Sequence, residues 1–315
     1  MQDASAGSDT LSWLAGRGAV NHALDRHDLV NARLQTWQRA LLGVLRLNPS
    51  DYASAPVSAI GDDALNAREG YWLQAELVHL AAGLDRLTFL PLTGAAAVTA
   101  DERQALMPLI ASHLQDSPFR LLAGTSGQWF LHSQRRLDLA TAAPEAAAAN
   151  ELDAVMPSGG DARELRRVMT ECQMLLHEHE VNERRQRRGL PAINALWPWG
   201  SGAIGQLSSQ SLAQMFSDDA FVRGLYRSHG QEISSSAPAT TIIEYARRQR
   251  PVIAIVTTDS LAALTSEWLQ PLIAALRSGG IQQLDLLFDE WHIHATRSML
   301  RRFWRKPSPP SAWPT

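Results

Sequence analysis

Apolar residues recur at helical spacing at Leu165, Val168, Met169, Cys172, Leu175 and Leu176, which predicts an amphipathic helix with one face on a core. Asp161 stands where a side chain can accept from the first-turn amides, and Glu164 holds the capping-box position. The stripe gives out past His179. Arg184, Arg185, Arg187 and Arg188 then crowd into 182–188, before Gly189 and Pro191 end the segment. The next residues read as a tryptophan-rich turn, Trp197-Pro198-Trp199, closed by Gly200-Ser201-Gly202.

The same periodicities organise the rest of the chain. Residues 1–10 are small and polar and read as disordered, whereas 12–47 read as helix on Leu29, Leu34, Trp37, Leu41, Leu42 and Leu45, stopped by Asn48-Pro49. Pro56 and Gly61-Asp62-Asp63 make 51–70 an irregular connection. Strands are predicted over 71–80 and 87–92, a helix over 99–117 capped by Thr99 with Glu102, and a hairpin from 119–123 and 128–132 around Gly124-Thr125-Ser126-Gly127. That order implies an α+β unit with an antiparallel sheet.

Alanine-rich 140–150 and Pro157-Ser158-Gly159-Gly160 read as connectors, and 234–239 as a linker. Short helices are expected over 218–228 and 240–250. The apolar run 251–257 reads as a buried strand, 261–278 as a helix ended by Gly279-Gly280, and 281–288 as a second buried strand, with 291–294 extending it or starting the next. Strand, helix, strand in this order implies a parallel crossover. The fold class is therefore α/β with an α+β portion, divided into 1–160 and 161–315. A basic turn over 298–305 and a proline-rich tail close the chain.

Composition narrows the partners. With 315 residues, 45% apolar and 19% charged, the chain has the make-up of a globular protein. A formal net charge of −3 argues against nucleic acid as a partner, although basic clusters exist locally. The single cysteine, Cys172, excludes an internal disulfide and lies on the apolar stripe. No apolar run approaches the roughly 18 residues that span a bilayer, and MQDASAGSDT has no signal character, so a cytoplasmic protein with no membrane partner is expected. Ten tryptophans against four tyrosines is unusual usage, suited to closing core edges or lining pockets.

Several groups of residues have chemical potential. The arginines of 182–188 match phosphate or carboxylate bidentately, or simply sit at a helix end beside its negative pole. The amides around Gly200 and Gly202 could receive an anion, or Trp197 and Trp199 could plug a core edge. Asp62 and Asp63 are candidates for a cation, and Thr257, Thr258, Asp259 and Ser260 for a site at a strand end, where helix caps use the same residues. His292 and His294 on a strand would point to one face and could hold a metal with Asp289 or Glu290 nearby. His177 and His179 on one helix would diverge by about 200 degrees.

His179-Glu180-Val181-Asn182, Arg185, Gly189 and Pro191-Ala192-Ile193-Asn194-Ala195-Leu196-Trp197, closing on Gly200-Ser201-Gly202, resemble the corresponding motif of archaeal-type cofactor-independent phosphoglycerate mutases. Shorter proteobacterial proteins, the RpfE-like regulatory proteins of pathogenicity-factor clusters, resemble this chain more closely, through Tyr71-Trp72-Leu73, Val78-His79-Leu80 and Arg301-Arg302-Phe303-Trp304-Arg305 as well. Glu180 stands where the mutases usually carry proline, and Trp199 where archaeal members usually carry arginine. The resemblance implies a shortened alkaline-phosphatase-like architecture, in which two divalent metals would flank a hydroxyl nucleophile. Neither an Asp-Gly after an early strand nor an Asp-His pair occurs to supply their ligands. The expectation is thus a degenerate, regulatory mutase-like protein with no cofactor, binding a phosphorylated metabolite through Asn182, Arg185, Asn194, Gly200 and Gly202. The alternatives are an active isomerase using manganese, and a scaffold whose Trp- and Arg-rich surfaces bind a protein partner.

Overall fold

The computed structural model describes residues 2–22, 33–65, 67, 69–83, 87–205, 210–248, 251–258, 260–288 and 291–312. The chain opens with α1 (Gln2–Arg17), which covers the stretch up to residue 10 where the sequence predicts disorder and the start of the predicted helix at 12, and Gly18 breaks it into strand β1 (Ala19–His22). Gly18 is required here by closeness: a Cβ would meet the His294 carbonyl oxygen at 2.6 Å. Helix α2 (Thr36–Val44) is a separate element, so the single helix predicted over 12–47 is not formed. Helix α3 (Ser54–Gly61) replaces the expected irregular connection; Pro56 lies in its first turn, where a missing amide costs nothing, and nearly every residue is buried.

The next stretch follows its pattern. Strands β2 (Tyr71–Ala82) and β3 (Leu87–Leu90) lead to helix α4 (Ala100–His113), whose Thr99 and Glu102 form both halves of the capping box. Strands β4 (Arg120–Ala123) and β5 (Trp129–Ser133) make the hairpin. The alanine-rich connector folds as α5 (Pro144–Ala149) and α6 (Leu152–Val155), and α7 (Ala162–His177) carries the amphipathic stripe. Asp161 makes no side-chain cap, because its carboxylate accepts from the Asp138 amide and pairs with Arg135 instead. Basic helix α8 (Glu180–Arg187) comes after a break at His179.

Residues predicted as a tryptophan turn form strand β6 (Ala195–Ala203), which pairs antiparallel with β2 from Tyr71↔Ala203 to Val78↔Ala195. Strand β2 is thus the hub of a five-stranded sheet: it also pairs with β5 over Tyr71–Ala75 and with β3 over His79–Ala82. This joins the two predicted halves. A boundary at 160 would cut the largest core, which runs from Tyr71 through the α7 stripe to Trp199.

Cys172 lies inside this core at 0% exposure, and burial pushes its thiol up to about 12. The thiolate is the reactive form. Ellman's reagent is therefore expected to leave native Cys172 untouched over minutes and to react with it fully in denaturant; a fast native reaction would contradict the placement of α7.

The remaining elements are β7 (Gln214–Phe216), α9 (Ala220–Ser228), α10 (Ala239–Ala246) and β8 (Val252–Ala254), then α11 (Leu261–Ala263), which runs through a π-helical stretch, Leu264–Leu269, into α12 (Gln270–Ser278). Gly279, at φ +81°, ends that helix in the left-handed conformation glycine favours. Strands β9 (Gln283–Phe288) and β10 (Trp291–Thr296) come next. The predicted parallel crossover between 251–257 and 281–288 is not made. Strand β8 pairs parallel with β7, whereas β9 joins β10 and β1 in an antiparallel sheet of order β1-β10-β9. The architecture is mixed α/β, as the element order predicts. The second core gathers Leu14 and Ala15 of α1 with Ile273, Leu276, Ile293 and Ala295.

Candidate functional site

The mutase-like motif folds inward. Asn182 is buried at the start of α8, and its side chain does the work of a missing peptide: Nδ2 donates to the Leu176 and Ile193 carbonyls at 2.7 and 2.8 Å, and Oδ1 accepts the Ile193 amide at 2.7 Å. It locks the end of α7 to the entry of β6. Asn194 does the same for β2, donating to Leu80 O at 2.9 Å and accepting from Leu80 N at 2.7 Å, so that its side chain adds a rung to the ladder just before β6 begins.

Arg185 is only 1% exposed, a rare state for a guanidinium. Its Nε donates to Pro191 O at 2.7 Å, Nη2 donates to Ala96 O, and Nη1 meets the Glu102 carboxylate at 2.9 Å. Burial pushes the Glu102 carboxyl up, but the Thr99 amide and the Arg185 guanidinium outweigh it and hold the group below the ordinary glutamate value. The other three arginines of the cluster behave as a solvated helix end, with Arg184 and Arg187 pairing one turn back to Glu180 and Glu183.

Gly200 and Gly202 lie in a strand that packs on α3. A Cβ at Gly200, whose φ is +65°, would fall 2.9 Å from Ser54 Cβ, and one at Gly202 would fall 2.7 Å from Ala53 Cβ. Their role in the fold is close approach of helix to sheet. Trp197 and Trp199 are 1% and 2% exposed, and Trp197 Nε1 donates to Ala142 O at 2.9 Å. Trp199 Nε1 is buried without a partner among the described residues. Of the five residues predicted to hold a phosphorylated ligand, Asn182, Arg185 and Asn194 gather at the entry of β6, whereas Gly200 and Gly202 lie toward its far end against α3; the side chains of the first three are spent on backbone and on Glu102. Removing the Asn194 side chain strands both Leu80 backbone groups, so Asn194→Ala is expected to lose about 1–3 kcal/mol in a denaturant titration.

The other candidates are also committed. Asp62 accepts from Thr125 N and Oγ1 and from Ala64 N, and Asp63 pairs with Arg227 at 2.7 Å. Ser260 caps α11 by accepting from the Ala263 amide; Asp259, Asp289 and Glu290 lie outside the described residues. His177 ends α7 and His179 caps α8, accepting from Val181 N, so the two belong to different helices.

His292 and His294 do share a strand face, as period two requires, and both rings bond one oxygen of Asp285, at 2.7 and 2.8 Å. Burial pushes Asp285 up; bonds from Gln283 and the two imidazoles more than reverse this and leave its carboxyl below the usual aspartate value. Sequence reasoning missed Asp285, although alternation along 283–288 puts it opposite His294. Glu102 was legible only as a cap, since nothing in its spacing announces a partner 83 residues away. In mid β2, burial pushes the Glu76 carboxyl up, with Arg103 opposing. Among the described residues, no group of three or more His, Cys, Asp or Glu side chains is placed to hold a metal ion. None of the motif residues lines the surface hollow of about 490 Å³ between Leu212, Tyr245, Arg248 and Val252.

No family model matches this chain. A stretch of 47 residues, 15% of the chain, is 45% identical to the 2,3-bisphosphoglycerate-independent phosphoglycerate mutase of Methanothrix thermoacetophila, and spans 12% of that protein. Among solved structures, a cofactor-independent phosphoglycerate mutase from Thermoplasma acidophilum is similar over 91% of this chain and 81% of its own, at 16% identity and a TM-score of 0.41. A protein from Pyrococcus horikoshii is similar over 78% of this chain and 61% of its own, at 13% identity and a TM-score of 0.41.

Proposed function

We propose that this chain is a phosphoglycerate-mutase-like protein of regulatory character, of the RpfE-like kind, in which the mutase motif holds the fold together and performs no phosphoryl transfer. The sequence match to an archaeal mutase supports the relationship. One observation carries the loss of the anion-binding role: the Arg185 guanidinium is shut from solvent and its donors are taken by Pro191 O, Ala96 O and Glu102. A phosphate entering there would have to displace a carboxylate from a buried cation, which leaves two like charges in a low-dielectric interior.

The test uses the purified chain loaded with manganese. Conversion of 3-phosphoglycerate to 2-phosphoglycerate is expected to be absent, and neither phosphoglycerate is expected to raise the melting temperature, as any ligand selective for the folded state must. Turnover with bound manganese would return the chain to the active isomerases. A melting-temperature rise without turnover would restore phosphometabolite sensing, through donors other than Arg185, Asn182 and Asn194.

A further inference from the structure

The segment from Arg301 to Lys306 reads Arg-Arg-Phe-Trp-Arg-Lys, and no acidic residue occurs from Trp291 to the end of the sequence, in a chain whose net charge is −3. Large aromatics are normally covered, yet Phe303 is 83% exposed and Trp304 is 68% exposed. Their rings meet edge to face with centroids 5.2 Å apart. Arg301, Arg305 and Lys306 are exposed around them, and no ion pair holds any of these three cations among the described residues.

This tip is not a loose end. Leu300 packs on the second core, the Arg302 guanidinium donates to Arg17 O, and the Ser308 amide donates to Ser12 O at 2.8 Å. The Lys306 carbonyl lies against Gly16, where a Cβ would meet it at 2.2 Å. The chain is thus tied to α1 on both sides of the aromatic pair, which is displayed in a fixed place. Ordering costs that a flexible segment would incur on binding are already met.

We propose that the Arg301–Lys306 tip is a docking surface for an acidic segment of a partner protein that carries apolar side chains between its carboxylates. Guanidinium forks match carboxylates bidentately, and tryptophan and arginine are the side chains that dominate interface hot spots. A lipid surface fits less well. The apolar part is two side chains just past a single short turn, Met299–Arg301, with no amphipathic helix to lie in the interfacial plane. The proposal stands apart from the mutase-like reading, because no motif residue takes part.

The experiment measures fluorescence anisotropy of a labelled short peptide alternating glutamate and leucine, titrated with the full chain. Saturable binding that weakens with salt is expected, with at least about tenfold loss in Trp304→Ala and in Arg301→Glu/Arg305→Glu. Both variants should keep the parent melting temperature, since the altered side chains are exposed. Polyglutamate should bind at least about tenfold more weakly than the alternating peptide. Failure of the alternating peptide to bind, equal binding of polyglutamate, or binding unchanged in Trp304→Ala overturns the proposal. Tighter binding to phosphatidylserine vesicles or to single-stranded DNA, lost in the same variants, overturns it in favour of lipid or nucleic acid.

Discussion

Arg185→Ala will melt on the order of 10 °C below the parent chain, corresponding to a loss of about 3–5 kcal/mol. The change strands the Glu102 carboxylate, whose side chain is 10% exposed, and frees the Pro191 and Ala96 carbonyls that tie α8 to the approaches of β6 and α4. Arg185→Lys will recover little, because an ammonium cannot reach three acceptors arranged for a planar fork. The pH dependence separates this from a generic packing defect. In the parent the Glu102 carboxyl is depressed, so its stabilisation is fully present above the ordinary glutamate value and is lost as pH falls through the folded value. Without Arg185 the guanidinium's share of that depression is gone, and the folded carboxyl lies less far below its unfolded value. The gap in melting temperature between the parent and Arg185→Ala is therefore widest above the ordinary glutamate value and must narrow as pH falls through it; a gap that stays constant with pH would mean that the pair is not an interior one.

Gly224→Ala will destabilise by about 3 kcal/mol or more, against the helix preference for alanine. Alanine in mid-helix ordinarily gains about 1 kcal/mol over glycine. Here the added methyl would sit 1.7 Å from Val57 O and 2.8 Å from Gly61 N, both backbone atoms that cannot rotate away. Gly61 faces it with the same closeness, 1.9 Å from Ala220 O. Helices α3 and α9 therefore touch backbone to backbone, and α3 in turn seats Gly200 and Gly202 of β6. Gly43→Ala in α2 is the control: no atom lies within 4 Å of its added Cβ, and a small gain is expected. Denaturant midpoints of the three proteins decide the matter, and a stabilised Gly224→Ala would show that the two helices cross at a greater distance.

Local signals are legible where one element decides its own shape. The Thr99 and Glu102 cap, the hairpin around Gly124-Thr125-Ser126-Gly127, the α7 stripe and the stop at Gly279 all depend on neighbours within a turn or two. Contacts between distant segments are not. Trp197-Pro198-Trp199 with three small residues looks like a turn until β2 supplies its partner strand. Pro56 looks like a breaker unless it is placed in a first helical turn, and Gly61 marks a crossing partner found only at Gly224. The site is half legible. Asn182, Arg185 and Asn194 do converge, but whether a guanidinium faces water or a carboxylate depends on Glu102. No spacing rule reaches that far.

The antiparallel pairing of β1 with β10 sets Ala19 opposite His294. A ribosome delivers the first of these strands long before the second. Throughout that interval the nascent chain must carry Leu14 and Ala15 without the β10 residues that cover them, so this sheet can close only after nearly the whole chain has emerged.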